Sequence, residues 1–516
     1  MSFSSESSSS SESSSTPSRR DDERRSGPEL PPHREKSGWR RAGDMNETLI
    51  PRSGPTGRRG EPLSLAEVLA FERSRGVEPI GEQEFFDRID YPGAATHLAD
   101  LQKMTVSELI AEARRSQLDQ VESDSFLNND RCDLINQLIR YRIREHGMIF
   151  AEGTLEILPD EFGFLRVPEY QYRSCPDDIY ISPNQIRRFG LRPGCIVSGQ
   201  VRPPKENERY FALLRVESVN GADPNLLTSK LWFEELTPEY PNRRIVLESE
   251  IGGLSSRLID LLVPVGFGQR GLIVSPPGTG KTVLMQKMAQ SVLANYPEVY
   301  VFVVLIDERP EEVTEMQRQL KGEQFEMVAS TFDETPTRHL QVAEIILEKA
   351  KRMVEYGRDV IIFLDSITRL TRAWNAEISM DGNHDGDKLH NESLQAVKRF
   401  FGSARKIADG GSLTLLATAS VATGAALDEA IFENFKGTGN LEIHLDPQLV
   451  EKRIWPAIDI ARSSTRREEM LFTPEEHRKI CILRRRVAEM DSTKAMEFLQ
   501  ARLANTESNH QYLQEL

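Results

Sequence analysis

The chain contains 516 residues and carries a formal net charge of −15 at pH 7. This length exceeds what one hydrophobic core organises, so roughly two to four domains are expected. The acidic balance argues against a protein that is basic throughout, although a local basic groove can still bind nucleic acid. No apolar run approaches the ~20 residues of a membrane-spanning helix, and the N-terminus lacks the apolar core of a signal peptide. We therefore expect no membrane contact and a cytoplasmic protein, because the four cysteines show no C-x-x-C spacing and suit a reducing compartment.

Residues 1–96 are rich in serine and in charges of both signs, with repeated proline and glycine. Such a segment has too little apolar surface to offset the entropy lost on ordering. We predict a mostly disordered extension. A solvated tail is preferred over an auxiliary RNA-binding arm, and no function is assigned to it.

Apolar residues recur at helical spacing between residues 97 and 147, for example at Leu98, Leu101, Leu134 and Leu138. Short helical stretches broken by polar turns predict a small helical N-terminal subdomain. Its row of basic residues could touch phosphate, although a solvated helix face is the commoner role of such a row. These residues are Arg140, Arg142 and Arg144.

The pattern changes to short strands separated by turns over residues 148–225. The predicted strands are Gly153–Leu158, Gly163–Arg166, Asp178–Ser182, Val197–Val201 and Tyr210–Leu214. Five strands in so short a segment favour an OB-type, cold-shock-like β-barrel.

Four aromatic side chains of this barrel lie close in sequence to basic residues. They are Phe162, Phe164, Tyr180 and Tyr210, and the neighbouring cations include Arg166, Arg202, Lys205 and Arg209. Exposed aromatic rings among cations form a stacking platform for single-stranded bases. Packing in the barrel core is the alternative use of such rings.

A polar, proline-bearing linker is predicted at residues 226–250, and an α/β P-loop domain at residues 251–516. The central pattern is Gly271–Thr282, in which an apolar strand, a glycine-rich turn and an amphipathic helix follow one another. Backbone N–H groups there should bind the phosphates of ATP, with Lys281 reaching the outer phosphates. The predicted nucleotide-binding residues are Gly278, Thr279, Gly280, Lys281, Thr282 and Val283. The strict pattern has glycine where this chain has Ser275, and a glycine turn that merely precedes a lysine is the alternative.

Two further apolar strands end in carboxylates. Val360–Asp365 ends in Asp365, which with the Thr282 hydroxyl is predicted to hold Mg²⁺. Val299–Asp307 is followed by Glu308, placed where a general base could orient water for attack on the γ-phosphate. The alternative role of such a strand-end acid is a cap or a salt bridge.

At these segments the chain resembles the bacterial transcription termination factor Rho family. The resemblance rests on the strings Leu305–Met316, Leu364–Leu370, Phe435–Asn440 and Lys452–Asp459, and it covers roughly residues 97–516. It implies a RecA-type motor in a homohexameric, RNA-dependent ATPase that moves 5′ to 3′ along single-stranded RNA. It also implies RNA polymerase as a partner and a role in terminating transcription.

The resemblance implies roles for particular residues. The RNA cleft would be lined by Phe162, Phe164, Arg166, Asp178, Tyr180, Glu208 and Tyr210, with Arg209 beside it. Its two acids would read base edges with a preference for cytosine, because a carboxylate can accept a hydrogen bond from the cytosine amino group. In the motor, adenine would lie near Gly268–Arg270 and against Trp455. Lesser candidates for the phosphate shell are Arg309, Arg369 and Arg453. Arg466 would reach the neighbouring subunit's γ-phosphate as a catalytic cation supplied in trans.

The chain departs from the family in two loops that should line a central RNA channel. Asn383 and Ala426 stand where the family has lysines. Each missing phosphate contact weakens binding and flattens its salt dependence. Lys388 is the nearest residue that could compensate.

Two other functions remain open at this stage. An RNA-binding hexamer or RNA chaperone could keep the ATP site but translocate little. A relative with the same motor core, such as a rotary ATPase subunit or a strand-exchange recombinase, is opposed by the aromatic barrel.

Overall fold

The computed structural model describes residues 96–115, 134–135, 138–139, 149–205, 208–381 and 389–516. The predicted extension lies outside these ranges except for Thr96. So do the channel residues Asn383 and Lys388 and the arginines at 140, 142 and 144. Within the described ranges, no helix is both long and apolar enough to cross a bilayer.

The N-terminal described elements are β1 (Thr96–His97), α1 (Leu98–Lys103) and α2 (Val106–Arg115). Leu98, Leu101 and Leu109 are fully buried, as the helical spacing predicts. Further buried side chains come from Leu134, Ile135, Leu138 and Ile139. These residues belong to the same hydrophobic core as the barrel that follows. β1 also pairs in parallel with the first barrel strand. The N-terminal helices and the barrel therefore share one hydrophobic core.

The barrel consists of β2 (Ile149–Ile157), β3 (Gly163–Arg166), β4 (Ile179–Ile181), β5 (Ile196–Arg202) and β6 (Phe211–Val219). Its strand order is β2-β3-β4-β6-β5, and a β2–β5 pairing closes the circuit. β4 and β6 run parallel, whereas the other barrel pairs are antiparallel. α3 (Pro183–Phe189) follows β4 and begins with a capping box between Ser182 and Gln185. The predicted OB-type barrel is confirmed.

The motor sheet contains β10 (Arg270–Ser275), β11 (Tyr300–Glu308), β12 (Phe325–Thr331), β13 (Asp359–Asp365), β15 (Ser412–Ser420), β16 (Leu441–Leu445) and β17 (Ile458–Thr465). Its order is β12-β11-β13-β15-β10-β16-β17, with only the β16–β17 pair antiparallel along this path. The P-loop follows β10, so a central strand delivers it to the carboxyl edge of the sheet. Ligands of open parallel sheets bind at this edge.

Helices cover both faces of the sheet. They are α4 (Gly253–Leu262), α5 (Lys281–Asn295), α6 (Pro310–Gln319), α7 (Pro336–Glu355), α8 (Ile367–Asp381), α9 (Asn391–Gly402), α10 (Ala426–Phe435), α11 (Pro447–Glu451), α12 (Pro474–Ala488), α13 (Ser492–Ala504) and α14 (Asn509–Gln514). Alternate residues of β11 enter different cores: Val303 lies in the same core as Met285 of α5, and Val304 in the same core as Ile346 of α7. A strand buried on both faces is therefore apolar throughout, which is why its sequence is a continuous hydrophobic run.

The segment predicted as a linker, residues 226–250, is structured along the motor. β7 (Pro238–Glu239) pairs with β14 (Arg405–Ile407), which in turn pairs with β15. β8 (Arg244–Ile245) pairs with β9 (Val265–Gly266). The chain between barrel and motor is therefore hydrogen-bonded to the motor.

Buried polar contacts join the barrel segment to the motor. The Tyr172 hydroxyl donates to Glu326, and Lys349 Nζ lies 2.9 Å from the Tyr172 oxygen and 2.6 Å from Glu326 Oε2. Arg192 donates to both carboxylate oxygens of Glu355 at 3.0 and 2.5 Å. Pairs of this kind are costly to break one partner at a time, because the remaining charge stays buried.

Candidate nucleotide site and RNA cleft

The P-loop connects β10 to α5 through two glycines in the left-handed region. Gly278 has φ 75° and Gly280 has φ 81°. A Cβ at Gly280 would also meet Cζ3 of Trp455 at 2.7 Å. The turn therefore requires glycine at this position for both its backbone conformation and the ring packed against it.

Ser275 occupies the position where the strict pattern has glycine. It ends β10 in an extended conformation, so no glycine is needed there. Its buried Oγ lies 2.7 Å from Thr279 Oγ1, and that oxygen lies 2.8 Å from the Pro276 carbonyl oxygen. The serine ties the two ends of the loop together, so the departure from the pattern leaves the cradle intact.

Lys281 and Thr282 converge on Asp365. Lys281 Nζ lies 2.6 Å from Asp365 Oδ1, and Thr282 Oγ1 donates to Oδ2 at 3.1 Å. Thr418 on the neighbouring strand donates to Oδ1 at 2.6 Å. Burial opposes ionisation of Asp365, but the Lys281 charge and these hydrogen bonds hold its pKa below the usual range. A hydroxyl and an ionised carboxylate side by side are the hard oxygen ligands that Mg²⁺ prefers, so this donor set fits the ion.

Glu308 is aimed into the site by an irregularity at the end of β11. The register with β12 shifts between Ile306 and Glu308, and Asp307 has φ 56°. The Glu308 side chain is buried, and Oε2 accepts a hydrogen bond of 2.6 Å from Arg369 Nη1. Arg369 also donates to the Asp307 carbonyl, which fixes the guanidinium between backbone and side chain.

Burial raises the pKa of Glu308 to about 7, and the nearby negative charge of Asp365 adds to the rise. The positive charges of Arg369 and Lys281 oppose it. A carboxylate whose pKa lies near the working pH is suited to accept a proton from water. The alternative role as a salt-bridge partner is also present in the Arg369 contact, and the two roles are compatible.

The other residues predicted to bind the nucleotide differ in their distance from the phosphate cradle. Trp455 is 44% exposed and lies against Gly280, beside the phosphate cradle. Val283 is exposed on the first turn of α5, and Arg309 is exposed with Nε 4.0 Å from Glu312. The position of adenine near Gly268–Arg270 stays a prediction; these residues precede β10 or begin it, whereas the P-loop follows its end.

Arg466 is not brought to the P-loop of its own chain. Gly271 of β10 lies opposite Leu441 of β16, and Leu441 pairs with Thr465 of β17. Arg466 therefore lies level with the start of β10, roughly 15 Å along the strand direction from the cradle. Its side chain is exposed at that edge.

The four predicted aromatic residues form one cluster on the barrel. The Phe164 ring centroid lies 4.8 Å from that of Tyr210 and 5.8 Å from that of Phe162, and Phe162 lies 5.8 Å from Tyr180. Phe164 is almost fully buried, whereas the other three rings are partly exposed. Phe162 lies just before β3 rather than on it, yet it still joins the cluster. The cluster offers a surface on which bases can stack.

The predicted polar residues of the cleft are engaged with one another. Asp178 is buried, accepts from Arg166, and accepts the Cys175 N–H at 2.7 Å. Burial raises the pKa of Asp178 to about 6 despite the Arg166 charge. Arg166 is itself buried, with its Cζ 4.9 Å from the Phe164 ring centroid.

Glu208 is only partly buried and forms a bidentate pair with Arg202 at 2.5 and 2.9 Å. The hydrogen bonds from Arg202 hold its pKa below the usual range. Arg209 beside it is exposed. The exposed part of the polar cleft is therefore formed by these residues rather than by Asp178.

Two site residues were missed or misjudged from sequence. Thr418, which binds Asp365, stands next to Ala417, the β15 residue opposite Leu364 in register. Arg369 was considered only as a phosphate ligand, although its place four residues after Asp365 puts it one turn into α8. Strand register and helix periodicity were the available signals.

A P-loop with a carboxylate base, joined to an OB-type barrel that presents an aromatic stacking surface, defines an RNA-binding P-loop ATPase. Residues 151–225 match the family described as Rho termination factor, RNA-binding domain. Residues 255–465 match the ATP synthase alpha/beta family, nucleotide-binding domain.

Whole-chain comparison identifies the family. The chain is 53% identical to transcription termination factor Rho of Rhodopirellula baltica, over 88% of this chain and 87% of that protein. It is 49% identical to the proteins of that name from Chromobacterium violaceum, over 81% and 98%, and from Escherichia coli, over 81% and 99%. The chain belongs to the transcription termination factor Rho family. The resemblance drawn from sequence is confirmed, and with it the fold class and the assignment as an ATP-hydrolysing, RNA-binding enzyme of transcription termination.

Proposed function

We propose that the chain works as an ATP-driven 5′-to-3′ RNA translocase in a homohexameric ring. The observation that supports this most directly is the division of the nucleotide site. Lys281, Thr282, Asp365 and Glu308 meet at one edge of the sheet, while Arg466 lies exposed at the opposite end of the strands. A neighbouring copy could supply that cation, which would couple hydrolysis to contact between subunits.

The chemistry follows from the residues at the cradle. Backbone N–H groups of residues 278–283 and Lys281 Nζ bind the phosphates of the substrate ATP. Thr282 and Asp365 would hold Mg²⁺, which when bound neutralises charge on the phosphates. Glu308 orients water and accepts its proton, and Arg369 holds the carboxylate in place.

The barrel is proposed to capture single-stranded RNA by stacking bases on the aromatic cluster, with C-rich segments preferred. Glu208, which is partly exposed, can accept from the amino group of cytosine. The RNA polymerase elongation complex is the proposed partner. We assign the helical subdomain to residues 97–147, the RNA-binding barrel to 148–225, the linker to 226–250 and the ATPase motor to 251–516.

Two measurements test the translocase. Filter binding of poly-cytidine and steady-state ATP hydrolysis with and without that RNA should show tight binding and strong stimulation. Binding without stimulation would instead favour an RNA-binding hexamer or RNA chaperone whose ATP site serves assembly.

Mixed rings test the shared site. Lys281→Ala and Arg466→Ala should each be inactive alone, yet rings containing both should recover part of the activity, because some interfaces then combine an intact cradle with an intact arginine. Absence of recovery in demonstrably mixed rings would argue against a site shared between subunits.

A further inference from the structure

Arg466 is held at the amino end of β16 by the turn that precedes this strand. Its backbone N–H donates to the Asn440 carbonyl at 2.9 Å, and its guanidinium Nη2 donates to the Gly437 carbonyl at 3.2 Å. Asn440 is anchored in turn: its N–H donates to the Arg270 carbonyl at 2.9 Å, and its side-chain oxygen accepts the Arg270 N–H at 2.8 Å. The backbone of Arg466 is thus fixed to the sheet, whereas the direction of its side chain depends on Gly437.

Gly437 is fixed by a glutamate. Its N–H donates to Glu442 Oε1 at 3.2 Å, and the other carboxylate oxygen of Glu442 lies 3.2 Å from His444 Nε2. Glu442 and His444 are two residues apart on β16, so their side chains share one face of the sheet. The His444 N–H donates to Ser463 Oγ at 2.9 Å, which ties the pair to β17.

The contacts between Glu442, Gly437 and Arg466 are polar, so they suit a role in orienting the Arg466 side chain better than a role in core packing. Gly437 has φ 75° and is exposed, and besides the Glu442 contact the neighbouring Thr438 N–H donates to the Phe435 carbonyl at 2.9 Å. An exposed arginine has many rotamers, and a displacement of about 1 Å at a reacting centre can cost about 100-fold in rate. Glu442 fixes the peptide group before Gly437, and the Thr438–Phe435 bond fixes the peptide group after it, which carries the carbonyl that receives the guanidinium. The carboxylate and the helix end therefore hold the two sides of this glycine together.

We propose that Glu442 is a positioning residue for Arg466: through Gly437 it orients the guanidinium toward the nucleotide of the neighbouring subunit. His444 in turn orients Glu442. This inference rests on the proposed function, because it requires Arg466 to act in trans. It makes Glu442 a member of the arginine side of the shared site and not of the P-loop side.

The test compares Glu442→Met, which keeps length but removes the acceptor, with Glu442→Gln, whose amide oxygen can still accept the Gly437 N–H. The methionine variant should lose about tenfold in RNA-stimulated kcat with little change in KM for ATP, and glutamine should restore most of the loss. Glu433→Met is the matched control, because Glu433 lies on the adjoining helix and pairs with Lys436 at 3.4 Å. Normal turnover by Glu442→Met would overturn the proposal.

Mixed rings decide which half of the site Glu442 serves. Glu442→Met should be complemented by Lys281→Ala, which supplies an intact arginine side, and not by Arg466→Ala. Complementation in the opposite sense, or with neither variant, would overturn the positioning role. The mixture of Lys281→Ala with Arg466→Ala serves as reference. If that reference recovers no activity, the shared site itself is wrong; if it recovers while the Glu442 pattern fails, only the present inference is wrong.

Discussion

Replacing Glu308 by glutamine isolates the general base from the geometry around it. The amide keeps the shape of the side chain and can still accept the hydrogen bond from Arg369, but it cannot accept a proton from water. General base catalysis contributes about 100- to 10,000-fold in rate. Nucleotide binding should survive because the cradle, Lys281 and Asp365 are untouched, whereas turnover should fall by that factor.

The pKa of about 7 for Glu308 sets the pH dependence. The base acts when deprotonated, so kcat of the unmodified protein should rise about tenfold per pH unit up to about pH 7 and level off above about pH 8. Glu308→Gln should lack this acid limb. Replacing Arg369 by alanine removes a cation that lowers the Glu308 pKa, so the limb should move to higher pH, and Arg369→Lys should move it less.

The same carboxyl has an effect on stability with a definite sign. Its pKa is 4.5 ordinarily and about 7 in the folded chain, so the folded state binds the proton more tightly. The resulting contribution to the free energy of unfolding is fully present below about pH 4.5 and is lost as the pH rises through about 7. The shift of the Glu308 pKa from 4.5 to about 7 corresponds to about 3 kcal/mol in the free energy of unfolding. Glu308→Gln should therefore unfold at higher denaturant than the unmodified chain at about pH 8 and at a similar concentration at about pH 5.

Steady-state hydrolysis from about pH 5.5 to about pH 9, with chemical denaturation at the two ends, tests these expectations together. The reasoning is refuted if Glu308→Gln retains near-normal turnover, or if it loses turnover but keeps the acid limb. A variant that is less stable at about pH 8 would show that the carboxylate is a structural ion-pair partner and not a strained base.

Further outcomes follow from the separation of barrel, motor and channel. Lys281→Ala should abolish hydrolysis while poly-cytidine binding survives in filter binding, and loss of both in a folded variant would contradict that separation. Tyr180→Ala should weaken poly-cytidine binding by about 1–3 kcal/mol, the range of one stacked base; unchanged affinity would remove this ring from the stacking surface. Lys349→Met should lower the free energy of unfolding by about 1.5–3 kcal/mol in denaturant titrations, because the partly buried Glu326 loses its charged hydrogen-bond partner and keeps only the Tyr172 hydroxyl; adding Glu326→Gln should recover part of it. Lys388→Ala should reduce RNA-stimulated ATP hydrolysis with barrel affinity intact, since Lys388 is the lysine that follows Asn383 most closely in sequence; normal stimulation would show that Lys388 does not replace the missing lysines.

Elements with strong local signals could be located from sequence. The bounds predicted for Gly163–Arg166 coincide with those of β3, and the helix predicted after the glycine-rich turn begins at Lys281. A glycine marks the start of each element, since Gly163 is the first residue of β3 and Gly280 directly precedes α5. Local sequence signals are sufficient to locate an element where long-range packing does not oppose them.

Relations between distant segments could not be read in the same way. The resemblance placed Arg166 in the RNA cleft, and the structure shows it buried between Glu156 and Asp178. Thr418 donates to Asp365 although 53 residues separate the two in the chain. Sheet topology decides both relations, and no local pattern in the sequence shows it.

The burial of Arg166 changes what the RNA cleft can do. Its guanidinium lies against the Phe164 ring, pairs with Asp178, and donates to Glu156 Oε2 at 2.6 Å. The other oxygen of Glu156 accepts at 2.6 Å from Gln341, which lies on motor helix α7. Asp178 is therefore bonded within this chain of contacts, and Glu208 is the acid of the cleft that stays partly exposed. Glu156 bridges Arg166 to motor helix α7, so one carboxylate connects the arginine beside the aromatic cluster to the ATPase domain.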